Sequence, residues 1–117
     1  MAEADPIRVF EAYLERHAVN DLAGVLELFA PEALVEDPVG SPVHRGLDAI
    51  RAFYAATHRQ NGPMTIDRVG PALLGGDEIA AHVRAGLDKP GSPPAMDVIY
   101  TIRVGADGRI ASLRAWY

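Results

Sequence analysis

Asp37, Tyr13, Tyr54 and Tyr100 are the residues of this chain whose types and spacing can do chemistry. Asp37 stands in Val35-Glu36-Asp37-Pro38-Val39-Gly40-Ser41, where a short apolar run ends in two carboxylates and Pro38 stops it. That pattern places a carboxylate at the end of a strand, at the rim of whatever the sheet encloses. A carboxylate that takes a proton and a phenol that donates a hydrogen bond are the minimum for removing a proton next to a carbonyl. Read alone, each residue also has a plain structural meaning. An acidic residue before proline is a common turn former, and Tyr13 and Tyr54 fit core-edge tyrosines with a hydroxyl at the surface. Asp37 gains interest because it closes an apolar strand and two aromatic hydroxyls lie on helices that flank it. Glu36, by strand alternation, faces solvent and is inert. Tyr100 lies in an apolar stripe, where a buried phenol needs either a structural partner or a bound ligand.

The elements that must position these groups can be read from periodicity. Asp5-Pro6 starts a helix, a capping carboxylate followed by proline at the first helical position. Ile7, Phe10 and Leu14, with Val9 and Tyr13, form its apolar stripe. Asn20-Asp21 breaks that helix and caps a second, with Leu22, Val25, Leu26 and Phe29 at helical intervals and Pro31 as its stop. Residues 33–36 predict a short strand and 38–42 a turn. From Gly46 a third helix carries Leu47, Ile50, Phe53 and Tyr54 on one side. Beyond Asn61-Gly62-Pro63 the period changes to two, and strands are predicted over 64–69, 79–87, 96–104 and 109–117. Gly75-Gly76-Asp77, Pro90-Gly91-Ser92-Pro93-Pro94 and Gly105-Ala106-Asp107-Gly108 are their turns. Short links imply antiparallel pairing. The expected fold is α+β, one domain over 1–117, with three helices packed on one face of a curved antiparallel sheet. Parity turns Met96, Val98, Tyr100, Ile102 and Val104 toward the helices, and Asp97, Thr101 and Arg103 away from them. The outward face is mixed and polar, a surface suited to a second subunit.

Composition narrows the partners. The 117 residues suffice for one core, and 16 acidic against 11 basic side chains give a net charge of −5, which argues against a nucleic-acid partner. Arg45, Arg51, His58 and Arg59 are the nearest thing to a basic cluster and read as a solvated helix face. With no cysteine there is neither a disulfide nor thiolate chemistry. His17, His44, His58 and His82 lack metal-ligand spacing, so no metal and no cofactor are expected. Ser41 has no nucleophile-elbow context. The acidic start lacks the apolar segment of a signal peptide, and no run approaches the ~18 apolar residues of a membrane span. A cytoplasmic protein without a membrane partner is expected.

Tyr13, Asn20-Asp21, Val35 through Gly40, Ala49-Ile50-Arg51-Ala52-Phe53-Tyr54, Asp97-Val98-Ile99 and Gly108-Arg109-Ile110 together resemble the bacterial steroid Δ5-isomerases, or ketosteroid isomerases. The intervals of 24 residues from Tyr13 to Asp37 and 17 from Asp37 to Tyr54 are similar to that family's as well. The likeness covers nearly the whole chain. It lies within the NTF2-like (SnoaL-like) fold group, which also includes polyketide cyclases and limonene-epoxide hydrolases.

The resemblance implies a cone-shaped α+β fold with helices on the concave face of the sheet. It further implies a homodimer through the sheet, and an apolar pocket for a small apolar ketone such as a steroid. Asp37 is implied as the general base that carries a proton from C4 to C6 of a 3-oxo-Δ5-steroid. Tyr13 is implied as the main donor to the dienolate oxygen, with Tyr54 orienting it. Phe29, Phe53, Val83, Met96, Val98, Leu113 and Tyr117 are the implied supporting and wall residues.

One departure bears on mechanism. The family's second oxyanion donor is an aspartic acid kept neutral by an apolar site, and the family is itself the standard example of that effect. Tyr100 stands at this position here. A phenol with a pKa near ~10 is neutral at pH 7 without tuning and can still donate, although its bulk can shorten the pocket. Phe29 stands where some members extend the tyrosine network, and the chain ends at Tyr117 where known members continue with a tail. Two other readings use the same scaffold. One is a non-catalytic binding module, which Tyr100 favours. The other is an epoxide hydrolase or polyketide cyclase, which usually needs an Asp-Arg-Asp set. Asp97 with Arg84 or Arg103 faces the wrong way for that.

Overall fold

Asp5 accepts a hydrogen bond from the Ile7 amide at 3.0 Å, and Pro6 follows it with its φ already helical, so the first helix begins where the sequence places it. The structure, a computed structural model, describes residues 5–117. Three helices are formed, α1 (Pro6–Ala18), α2 (Leu22–Glu27) and α3 (Gly46–Asn61). The strands are β1 (Phe29–Glu36), β2 (His44–Arg45), β3 (Met64–Arg68), β4 (Leu73–Gly75), β5 (Glu78–Leu87), β6 (Met96–Val104) and β7 (Ile110–Trp116).

Helix α1 buries Phe10, Tyr13, Leu14 and His17, spaced three and four apart on one face. Asn20 adopts the left-handed conformation (φ 59°) that ends the segment. The Asp21 carboxylate then caps α2 by accepting from the Gly24 amide at 3.0 Å. A Cβ at Gly24 would lie 2.0 Å from that carboxylate, so the cap requires glycine there.

Three expectations change. The second helix stops at Glu27, and Phe29 begins β1 instead of ending a helix. The Leu28 carbonyl accepts from the Ile110 amide at 2.7 Å and Phe29 pairs with Ile110, so sheet pairing overrides the local helical period. Pro31 consequently lies inside a strand. It has no amide to donate, and it falls in the break of register between Phe29 and Leu34, where that loss is tolerated. Second, the sheet is mixed, not wholly antiparallel. Its order is β2-β1-β7-β6-β5-β3, with β4 also on β5, and β1 runs parallel to β7. Short links dictate antiparallel pairing only for strands adjacent in the chain. Between β1 and β7 lie α3 and the whole meander, a connection long enough for parallel pairing. Third, β2 and β4 were not foreseen, since two and three residues are too few to show alternation.

The sheet is curved and unclosed, and α1 and α3 cover one face while α2 packs chiefly on those two helices. Ile79, Ala81 and Val83 of β5, Val98, Tyr100 and Ile102 of β6, and Leu113 and Ala115 of β7 form the sheet side of one core with Phe10, Tyr13, Ile50 and Tyr54. Asp97 is on the other face, as parity requires, bonded to His82 at 2.7 Å and to Arg84 at 3.1 Å. Among the described residues, no helix is long and apolar enough to cross a membrane.

Candidate active site

Asp37 is the first residue beyond β1, and the turn that follows is pinned on both sides. Val39 donates from its amide to the Ala115 carbonyl of β7 at 2.8 Å. Glu36 accepts from the Gly40 amide at 3.0 Å and from Arg114 Nε at 2.9 Å, which holds its carboxylate outward. With Glu36 tied to the outer side, alternation turns Asp37 inward. There it meets a cavity of about 260 Å³ between the sheet and the helices.

The cavity wall carries Asp37, Tyr100 and Tyr117 as its acid and phenols, with Met96, Val98 and Ala85 as part of its apolar side. Tyr117 donates from its hydroxyl to Asp37 Oδ1 at 2.5 Å. Asp37 Oδ2 bonds to no group among the described residues. Burial pushes the Asp37 carboxyl above its ordinary 3.8, against the opposing effects of the Tyr117 hydrogen bond and of His44 nearby. His44 is itself stacked on Phe53, ring centres 4.5 Å apart. Tyr100 is 4% exposed, and its phenol is pushed up first by burial and then by the Asp37 charge, so it stays a neutral donor.

Tyr13 and Tyr54 lie behind this wall. Both are fully buried, and their hydroxyls share a hydrogen bond of 2.7 Å across α1 and α3. Burial raises both phenols well above the ordinary range. The Tyr13 ring meets Tyr100 edge to face, 5.6 Å between centres. One aromatic cluster therefore links the inner pair to the phenol at the cavity surface.

Of the residues singled out in the sequence, Asp37, Tyr100, Phe53, Met96, Val98 and Tyr117 are brought together on the cavity. Tyr13 and Tyr54 are its immediate backing and do not line it. Phe29, Val83 and Leu113 are core, 1% exposed or less, and contribute no cavity surface. All three belong to the same core as Phe10, Tyr13 and Tyr54, and the Phe29 ring lies against Tyr13 and Tyr54 with centres 6.3 and 5.9 Å apart. Met96, expected inward, is 45% exposed because it starts β6 at the cavity mouth.

Sequence reasoning missed His17, Thr57, Gln60 and Asn61, all of them on the cavity wall. A signal was present. Thr57, Gln60 and Asn61 follow Phe53 at four, seven and eight residues, and His17 follows Tyr13 at four, so each repeats a face already marked.

The fold and this cavity define an α+β protein with a curved, unclosed sheet and a carboxylate-bearing hollow beneath its helices. Residues 10–113 match the SnoaL-like domain family, and the chain belongs to that family. It is 32% identical over 109 residues to the Steroid Delta-isomerase of Nocardioides simplex, over 90% of this chain and 83% of that protein. It is 33% identical over 114 residues to the Epoxide hydrolase LasB of Streptomyces lasalocidi, over 90% of this chain but 38% of that relative's length. Among solved structures, SalBIII, an epoxide hydrolase/cyclase-like enzyme of pyran ring formation in salinomycin, shares the fold with a TM-score of 0.82. Its identity is 22%, over 95% of this chain and 88% of that one. Protein SMa1630 of Sinorhizobium meliloti, a candidate polyketide cyclase, shares it with a TM-score of 0.76 and 24% identity, over 95% and 98%.

Proposed function

We propose that this chain is a cofactor-independent isomerase of a flat apolar ketone, converting a 3-oxo-Δ5-steroid or a similar β,γ-unsaturated ketone to its conjugated isomer. The observation that carries this reading is a single cavity that unites a half-buried carboxylate of raised proton affinity, a neutral buried phenol and apolar walls.

In this reading Asp37 Oδ2 takes the proton from C4 while Tyr117 holds Oδ1. The C4–H electron pair forms the C3–C4 double bond, and the carbonyl pair moves onto the oxygen, giving a dienolate. Tyr100 donates to that oxygen as its charge develops. The carbonyl then re-forms, the C3–C4 pair becomes the C4–C5 double bond, and the former C5–C6 pair takes the proton back from Asp37 at C6. No atom or electron is gained or lost, so the chemistry calls for no cofactor. A raised pKa brings the base nearer to working pH, where general-base catalysis is most effective. A preorganised donor in a water-poor site is worth about 10²–10³ in rate. Tyr100, not Tyr13, touches the oxygen in this scheme, and Tyr13 and Tyr54 are positioning residues behind it.

At about 260 Å³ the cavity is just under the ~300–1,000 Å³ usual for ligand pockets, so a steroid-sized guest would protrude. A groove of about 560 Å³ along α3 shares Phe53, Thr57 and Gln60 with the cavity and gives the protruding part a place to lie. The 32% identity to a steroid isomerase supports the same reading.

The test is an ultraviolet assay for conjugated enone formed from 5-androstene-3,17-dione. Turnover by the parent, lost in Asp37→Asn with the fold intact, is the expected result. An Asp37→Asn protein that isomerises at the parent rate removes Asp37 as the base. A parent that binds the ketone without converting it is a binding module. The match to LasB supports a second reading, epoxide opening, in which Asp37 would act on an epoxide oxygen or a water. Diol formed from an apolar epoxide, with no enone formed from the ketone, would favour it.

A further inference from the structure

One helical turn beyond Tyr13 and Tyr54, the same two helices are joined a second time. His17 Nδ1 and His58 Nε2 lie 3.0 Å apart, and both rings are buried, 5% and 7% exposed. The two pairs differ in one respect that matters. Tyr13 and Tyr54 are sealed from the cavity, whereas His17 forms part of its wall.

A single proton lies in the bond between the imidazoles, so their tautomers are linked. If His17 donated from Nδ1, His58 would accept at Nε2 and carry its own proton on Nδ1. That nitrogen is buried and has no partner among the described residues, and an orphaned N–H is the rarer of the two defects. In the other arrangement His58 donates from Nε2 and leaves only a bare lone pair on Nδ1. His17 then accepts at Nδ1 and holds its proton on Nε2. This second nitrogen of His17 bonds to no group among the described residues, and it is not one of the fully enclosed unpartnered atoms. The space open to it is the cavity.

We infer that His17 is a ligand-binding donor of the cavity, presenting Nε2–H to a carbonyl or hydroxyl oxygen of the bound molecule, with His58 setting its tautomer. The inference rests on the reading of this cavity as the substrate site. The Tyr13 ring stacks on His17 with centres 5.5 Å apart and fixes the direction of the N–H. The Asn20 side chain donates to the His58 carbonyl at 2.9 Å and holds the end of α3. Burial, with His58 beside it, lowers the His17 pKa to about 4, so at pH 7 the ring is neutral and has one proton to give. A site built around such a donor rejects molecules lacking the matching oxygen, because its N–H would be left unmet.

Long-range proton–nitrogen spectra of the full chain at pH 7 test this directly. His17 and His58 should both be neutral and protonated at Nε2; a His17 protonated at Nδ1, or at both nitrogens, overturns the inference. Kinetics with 5-androstene-3,17-dione supply the second arm. His17→Phe, which keeps the ring and removes the donor, should raise KM about tenfold with kcat little changed. His17→Gln, whose amide restores a donor, should recover most of that loss. Equal KM values for the parent and His17→Phe overturn the inference even if the tautomer is as expected. A parent that does not turn over the ketone counts against the isomerase reading, and His17 is then tested by the same spectra with the ketone added, where an unmoved His17 Nε2 resonance overturns the inference.

Discussion

Asp37 and Asp97 are carboxylates at opposite ends of the same sheet logic, one just past the end of β1 and one at the second residue of β6. Asp97 lies on the outer face between His82 and Arg84, and those hydrogen bonds hold its carboxyl below the ordinary range. Asp37 lies on the inner side against a cavity, and burial holds its carboxyl above that range. Residue type therefore does not make a base. Asp97 is stabilised as an anion by the groups that would compete for any proton acceptor, whereas Asp37 keeps one oxygen free and is poorly solvated. In the proposed reaction, the inner face is where a proton is lifted from carbon.

Replacing Asp37 by Asn should break that contrast most severely. Turnover of the β,γ-unsaturated ketone should fall by about 10³ or more, on the scale of a positioned base, measured as initial rates of enone formation. The same variant sharpens the energetic side. In the folded chain Asp37 binds its proton more tightly than in the unfolded chain, so stability falls as pH rises from 3.8 through its raised pKa. At pH 7 the ionised, buried carboxylate is a net cost, and an Asn can still accept from Tyr117. Asp37→Asn should thus melt no lower than the parent at pH 7, and a clear drop in Tm would contradict the assigned burial.

Tyr100→Phe should come next, with kcat down by about 10² and the fold unchanged, since only a hydroxyl is lost from the cavity wall. A smaller effect follows from titrating Asp37 in the parent. Only its ionised form accepts a proton, so kcat/KM should decline on the acid side tenfold per pH unit, with an inflection above 3.8. An inflection below 3.8 would assign the base to a carboxylate of the Asp97 kind. Asp97→Asn should have the least effect, within about twofold of parent turnover, because its partners are exposed side chains on the far face.

Much of this arrangement was legible from residue patterns. The Asp5-Pro6 start, the Asn20-Asp21 break and the inward parity of Val98 and Tyr100 depend on local sterics and alternation, which act within a few residues. Phe29 shows where such reasoning stops. Its helical spacing from Leu22 and Val25 is real, yet pairing with Ile110, far along the chain, draws it into β1. Val83 and Leu113 make the same point for the site. Strand alternation turns them inward, but only depth decides whether an inward residue meets a cavity or another side chain.

The sequence by itself determined the order of the three helices and the longer strands, the inward carboxylate after β1 and the neutral phenol on β6, because each follows from backbone period and from intrinsic pKa. The tertiary structure alone decided that Tyr100 and not Tyr13 reaches the cavity, that Tyr117 holds Asp37, and that His17 and His58 meet. Those contacts join residues up to 80 positions apart, and no local propensity encodes which of two buried hydroxyls is nearer the open space.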